Sequence, residues 1–142
     1  MKGYWRDEKL TAETIKDGWL RTGDLGYLDR EGYVFLVDRK ADMIVTGGEN
    51  VYPSEIEEVL FQHPAVRECI IVSAPDNRWG ERVVGVVVLN PGAVAKEADL
   101  ISFCKSRLAG YKCPKAIEFW PDLPKTPIGK LARKKVKSYF WG

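Results

Sequence analysis

The run Val83-Val84-Gly85-Val86-Val87-Val88 limits what this chain can become. A half-exposed strand alternates apolar and polar residues, and these six positions hold no polar side chain. Branching at Cβ favours extended backbone over helix. The run therefore predicts a central strand, buried on both faces, with other layers covering each side. The apolar stretch from Val83 to Leu89 is far too short to cross a bilayer.

Companion elements follow from local pattern. Val66 to Ala74 predicts a second strand and Lys115 to Trp120 a third, with a loop over 75–80 and the extended, proline-bearing segment 122–129. Pro53 to Gln62 predicts a helix. Ser54 stands near its start, Glu55, Glu57 and Glu58 suit the positive end of its dipole, and His63-Pro64 ends it. Ile56, Val59 and Leu60 give it an apolar stripe. Lys96 to Leu108 predicts a second helix, with Leu100, Ile101, Cys104 and Leu108 on one face, and Leu131 to Phe140 a basic terminal one. Near the N-terminus, Thr11 to Thr14 suggests a short capped helix. Gly18 to Asp24 reads as a strand entering a turn, and 25–37 as a β-hairpin around Asp29-Arg30-Glu31-Gly32. The order hairpin, α, β, β, α, β, α predicts an α+β fold with helices on a sheet of about three strands. The segment 1–37 has no long helix to cover it and is expected to belong to a larger body.

The 142 residues are 45% hydrophobic and 30% charged, as in an ordinary globular protein with a real core. A net charge of +2 is too small to argue for nucleic acid. Lys130, Arg133, Lys134, Lys135 and Lys137 crowd the C-terminus, as a solvated helix face or an anion-binding surface. Cys69, Cys104 and Cys113, without a CxxC pair and with a single histidine, His63, fit neither a disulfide framework nor a metal site. Reduced thiols and no metal are expected, in a cytoplasmic protein, with peripheral membrane association left open. MKGYWRDEKL shows no apolar signal region, and no transmembrane segment is expected.

The loop chemistry concentrates between Asp38 and Glu58. A charged cluster, Asp38-Arg39-Lys40-Ala41-Asp42, leads through Met43-Ile44-Val45 into Thr46-Gly47-Gly48-Glu49-Asn50. Adjacent glycines permit positive φ and close approach of a ligand to the backbone, and they equally suit a plain tight turn.

Three blocks, in order and spacing, resemble the adenylate-forming superfamily of acyl-CoA synthetases, luciferases and peptide-synthetase adenylation domains. They are Trp19-Leu20-Arg21-Thr22-Gly23-Asp24-Leu25, Asp38-Arg39 through Pro53-Ser54-Glu55-Ile56-Glu57, and Pro127-Ile128-Gly129-Lys130. The form GGENVYP looks most like fatty-acyl-CoA ligases. The resemblance covers essentially the whole chain. It implies the C-terminal lid domain of such a ligase, without the phosphate loop and acyl pocket of the large N-terminal domain. The implied division is 1–38 for the end of that large domain, 39–42 for the hinge and 43–142 for the lid. The implied substrates are ATP, a carboxylic acid, expected to be a fatty acid, and coenzyme A. Mg2+ and ATP would be bound mainly by the N-terminal domain.

The resemblance also implies roles for residues. Lys130 matches the lysine that serves adenylation, and Asp24 and Arg39 match nucleotide-binding positions. Ala41 falls at the hinge, where the family usually has Asp or Lys, and Asp42 shares that place. Gly47 and Gly48 would line the pantetheine tunnel, while Trp79, Tyr111 and Lys115 would meet the nucleotide end of coenzyme A. Cys113 stands where some relatives have Arg. Read without the resemblance, Asp24 is a turn cap, Arg39 a partner of Asp38 or Asp42, Lys130 surface charge, and Trp79 and Tyr111 surface anchors. The isolated chain is expected to be inactive. The alternatives are a free-standing coenzyme A- or partner-binding module and, more remotely, a basic nucleic-acid binder.

Overall fold

In the computed structural model, which describes residues 1–142, the chain divides into two units, Met1–Ala41 and Asp42–Gly142. The first unit opens with α1 (Glu8–Thr14), capped by Asp7, whose carboxylate accepts the Leu10 N–H at 2.8 Å. The helix thus starts earlier than Thr11, because Asp7 supplies the cap. A tight ribbon of β1 (Ile15–Lys16) and β2 (Trp19–Leu20) follows. The expected hairpin is then formed by β3 (Asp24–Leu28) and β4 (Val34–Arg39). Asp29 holds its turn, accepting the N–H groups of Glu31 and Tyr33 at 2.9 Å. Tyr27 stacks on Phe35 with centroids 5.1 Å apart. No residue of this unit is buried, and apolar side chains stay exposed on both hairpin faces, Tyr27 and Phe35 on one, Leu28, Val34 and Leu36 on the other.

The second unit contains β5 (Ile44–Thr46), β6 (Glu49–Val51), α2 (Pro53–Phe61), β7 (Val66–Asp76), β8 (Gly80–Leu89), α3 (Glu97–Lys105), β9 (Ala116–Phe119) and α4 (Arg133–Trp141). The sheet order is β6-β5-β8-β7, with β9 parallel to β8. The valine run lies in β8, which pairs with β5, β7 and β9. Its side chains feed two cores. Val83 and Val87 join Ile71 and Cys69 against Ile56 and Leu60 of α2 and Leu100 and Cys104 of α3. Val86 and Val88 join Ile70 and Val72 against Leu123, from the segment after β9, and Val136 of α4. Each such side chain contributes roughly 1.5–3 kcal/mol on burial.

The α+β class is as expected, but the sheet has five strands instead of about three. The two additional strands, β5 and β6, have three residues each, too few for an alternation to register. The expected loop at 75–80 shrinks to a turn over 77–79, because β7 and β8 stay paired out to Asp76↔Gly80. Two helices are shorter than their apolar pattern. α3 ends at Lys105, and Leu108 packs from the following turn. α4 starts at Arg133, because Leu131 bridges to Lys125 and the Ala132 N–H donates to the Pro124 carbonyl at 2.8 Å. The three cysteines are free and buried, and no helix is long and apolar enough to cross a membrane.

Candidate functional site

The Gly-Gly loop is the tip of the β5–β6 hairpin, and both glycines have positive φ, 59° at Gly47 and 86° at Gly48. Asp76 builds the facing turn, its Oδ1 accepting the N–H groups of Arg78 and Trp79 at 2.9 Å. Those two bonds, Trp79 first, hold the Asp76 carboxyl below the usual range. The turn presents Trp79 to the hairpin tip, where the Gly47 N–H donates to the Trp79 carbonyl at 3.1 Å. The Arg78 guanidinium lies over the Trp79 ring, 4.6 Å from the centroid.

Between these loops lies a cleft of about 160 Å³, lined by Thr46, Gly47, Glu49, Trp79, Tyr111 and Lys115. Four of the five residues expected at coenzyme A therefore come together although they are spread over 69 positions of sequence, from Gly47 to Lys115. Gly48 does not line the cleft. The volume admits one ring or a narrow arm, well short of a whole nucleotide cofactor. Lys115 points its ammonium toward the Gly110 carbonyl at 3.5 Å and makes no ion pair. Its neighbour Lys112 is engaged by Glu55 at 2.7 Å and 2.8 Å, and that bond raises the Lys112 pKa. Only one of the two lysines is thus left for an anion. Cys113 is buried, with Sγ 3.5 Å from the Ala109 carbonyl, and does not line the cleft.

Lys130 stands elsewhere, on a tight turn. The Thr126 N–H donates to the Lys130 carbonyl at 2.7 Å, the Lys130 N–H to Thr126 Oγ1 at 3.1 Å, and the Gly129 N–H to the Thr126 carbonyl at 2.9 Å. Gly129 has φ of 80°, as the turn requires. The backbone of Lys130 is thereby fixed while its exposed side chain makes no ion pair.

In the first unit, Arg39 Nε reaches Asp24 Oδ1 at 3.0 Å across paired positions of β3 and β4. The arginine's partner is neither Asp38 nor Asp42. Asp38 Oδ1 accepts the backbone N–H of Arg39, and Asp42 Oδ2 faces Arg133 Nε at 3.5 Å. Ala41 ends the first unit and Asp42 opens the second. Arg133 is not solvated charge, since it grips Glu57. Sequence reading assigned no role to Asp76, and it gave Glu55 and Glu57 only a place at the positive end of a helix dipole, without the ion pairs to Lys112 and Arg133. Asp two and three residues before the N–H groups it accepts was the legible signal for the first; the two ion pairs join residues 57 and 76 positions apart and left none.

Comparison with known proteins matches residues 55–130 to the family described as AMP-binding enzyme C-terminal domain. The long-chain-fatty-acid–CoA ligase of Bacillus subtilis (strain 168) is 49% identical over 96% of this chain and 24% of its own length. The fatty acid–[acyl-carrier-protein] ligase ScoC of Streptomyces coeruleorubidus is 49% identical over 100% of this chain and 27% of its own. A 2-succinylbenzoate–CoA ligase of Bacillus cereus is 47% identical over 95% and 28%. This chain therefore spans about a quarter of the length of these relatives. Among solved structures, ATP-bound MatB from Rhodopseudomonas palustris superposes with a TM-score of 0.92 at 38% identity, over 98% of this chain and 28% of that one. The Bacillus subtilis o-succinylbenzoate CoA synthetase bound to its acyl-adenylate gives 0.90 at 42%, over 96% and 28%.

Proposed function

This chain belongs to the family of AMP-binding enzyme C-terminal domains, and from that premise we propose that it is the lid of an AMP-forming acid–thiol ligase. The complete ligase joins a carboxylate to the α-phosphate of ATP, expels pyrophosphate, and passes the acyl group to coenzyme A. The division of labour is residues 1–38 in the large domain, 39–42 as hinge and 43–142 as lid. The observation that carries this reading is the cleft where Gly47, Trp79, Tyr111 and Lys115 converge. Aromatic rings suit a purine or a thin arm, and an unpaired ammonium suits phosphate.

Lys130 serves the other half-reaction. A fixed turn carrying an unpaired ammonium can stabilise the charge that gathers as the carboxylate attacks phosphorus. Asp24, with Arg39 beside it, offers acceptors to a ribose diol. Mg2+ would arrive with ATP, since it keeps phosphate oxygens and waters as ligands; this chain groups no three His, Cys, Asp or Glu side chains suited to a metal.

The acid we propose is a fatty acid, in line with the fatty-acid ligases named above. A ligase named for 2-succinylbenzoate is about as similar over this stretch, so the stretch by itself does not fix the acid, whose pocket would lie in the remaining three-quarters of such an enzyme. By itself the chain is proposed to be inactive. Pyrophosphate release and thioester formation by the complete ligase, with fatty acids, ATP, Mg2+ and coenzyme A, test the reading. Turnover by the 142 residues alone, or none by the complete protein with any acid, would contradict it.

A further inference from the structure

Arg133 opens α4 three positions after Lys130. Its guanidinium meets Glu57 with two parallel bonds, Nη1 to Oε1 at 2.7 Å and Nη2 to Oε2 at 3.0 Å. Glu57 Oε1 also accepts the Ile71 N–H at 2.7 Å, and Arg133 donates in turn to the Ile71 carbonyl. The remaining edge of the guanidinium, Nε, faces Asp42 Oδ2 at 3.5 Å. The side chains of Glu57, Arg133 and Asp42 are 15%, 22% and 29% exposed, so this is no solvated surface pair. A planar fork held on one side by a carboxylate leaves its Nε edge aimed in one fixed direction.

We propose that Arg133 is a positioning residue that ties the Lys130 turn and the hinge-side residue Asp42 to the same point of the lid. The inference rests on the reading of Lys130 and residues 39–42 given under Proposed function. The base of the Lys130 turn is closed by the Ala132–Pro124 bond and the Lys125–Leu131 bridge, and Arg133 extends that closure onto α2 and β7. Its other edge fastens Asp42. Asp42 therefore belongs to the lid side, and backbone rotation is left to residues 39–41. The backbone turn that carries Lys130 then moves together with Asp42 as one body.

Asp42→Asn spares the Arg133–Glu57 pair, so it should fold. In the 142-residue chain, trypsin should cut after Lys40 about fivefold faster in Asp42→Asn than in wild type, the effect of losing one modest ion pair. Asp42→Glu, which keeps the carboxylate, should restore slow cutting. In the complete ligase, Arg133→Lys should lower kcat for adenylation about tenfold with the KM for ATP unchanged, and Arg133→Gln should lower it further. A merely structural role would lower the amount of folded enzyme and leave kcat per folded molecule alone. Equal cutting in wild type and Asp42→Asn overturns the fastening of Asp42. Faster cutting with unchanged adenylation kcat in Arg133→Lys overturns the positioning of Lys130. A complete wild-type protein that forms no acyl-adenylate overturns the ligase reading instead, and is seen before any variant is made.

Discussion

Gly47 and Trp79 are fitted to each other: a Cβ on Gly47 would stand 2.7 Å from Trp79 Cε3. The backbone adds a second constraint, since Gly47 has φ of 59° and its N–H is bonded to the Trp79 carbonyl. Gly48, with φ of 86°, has nothing within 4 Å of its would-be Cβ. The neighbouring glycines are therefore held by different forces. Gly47→Ala should cost backbone strain of roughly 1–2 kcal/mol and also push the indole out of the cleft. Gly48→Leu should cost strain alone, but place a bulky side chain at the tip. In the complete ligase, both should spare adenylation and lower thioester formation, Gly47→Ala with the larger loss of melting temperature. Equal loss in both half-reactions would assign the loop a purely structural role.

How far the sequence was readable depends on where each signal sits. The valine run announced β8, because a β-branched stretch interrupted only by Gly85 has few other uses. Ile56 and Leu60 announced the buried side of α2 by spacing alone. β5 and β6 stayed hidden, since three-residue strands make no period and Gly47-Gly48 reads equally as a bare turn. The cleft residues were reached only through the family resemblance. Nothing local links Trp79 to Gly47 or Tyr111; the link is made by β8 pairing with β5 at Thr46↔Gly80, which sets the two loops side by side. The Glu57–Arg133 pair was unreadable for the same reason, as its members lie 76 positions apart.

The exposed hairpin of the first unit predicts uneven stability. A two-stranded hairpin in water is marginal, and none of its residues is buried. Amides of β3 and β4 should exchange on the order of a hundredfold or more faster than those of β8 in the 142-residue chain. Equal protection of the two would mean that another surface covers Leu28, Val34 and Leu36 in solution.

The thiols predict a loss of stability at alkaline pH. Burial, then the charge of Cys113, pushes Cys104 up to about 11. Burial likewise raises Cys113, and raises Cys69 further still, with Glu57 adding to it. An unfolded thiol ionises near 8.5. A folded-state value above the unfolded one means that the fold prefers the neutral thiol. The contribution is complete below about pH 8.5 and is lost as pH rises toward 11. Denaturant midpoints should fall above about pH 8.5, and less steeply in Cys104→Ala. A thiol reagent at pH 8 should label the cysteines only after denaturation; rapid labelling of the native chain would contradict their burial.

Lys130→Ala separates the two half-reactions from the opposite direction. On the proposed reading, the ammonium serves where negative charge builds on phosphorus and its oxygens, which happens only while the acyl-adenylate forms. Removing one well-placed charge from such a site costs on the order of 3 kcal/mol, a factor of 100 or more in rate. The turn itself should survive, because it is closed by backbone bonds and the Thr126 hydroxyl, none of which uses the lysine side chain. Melting temperature should therefore stay within a degree or two of wild type. The measurement supplies pre-made acyl-adenylate and coenzyme A to the variant of the complete ligase and times the thioester, beside a pyrophosphate assay of the first step. Adenylation should collapse while thioester formation runs nearly unchanged. If both fall together, Lys130 does not act in adenylation alone, and the assignment of its turn to one half-reaction and the Gly47–Trp79 cleft to the other loses its support.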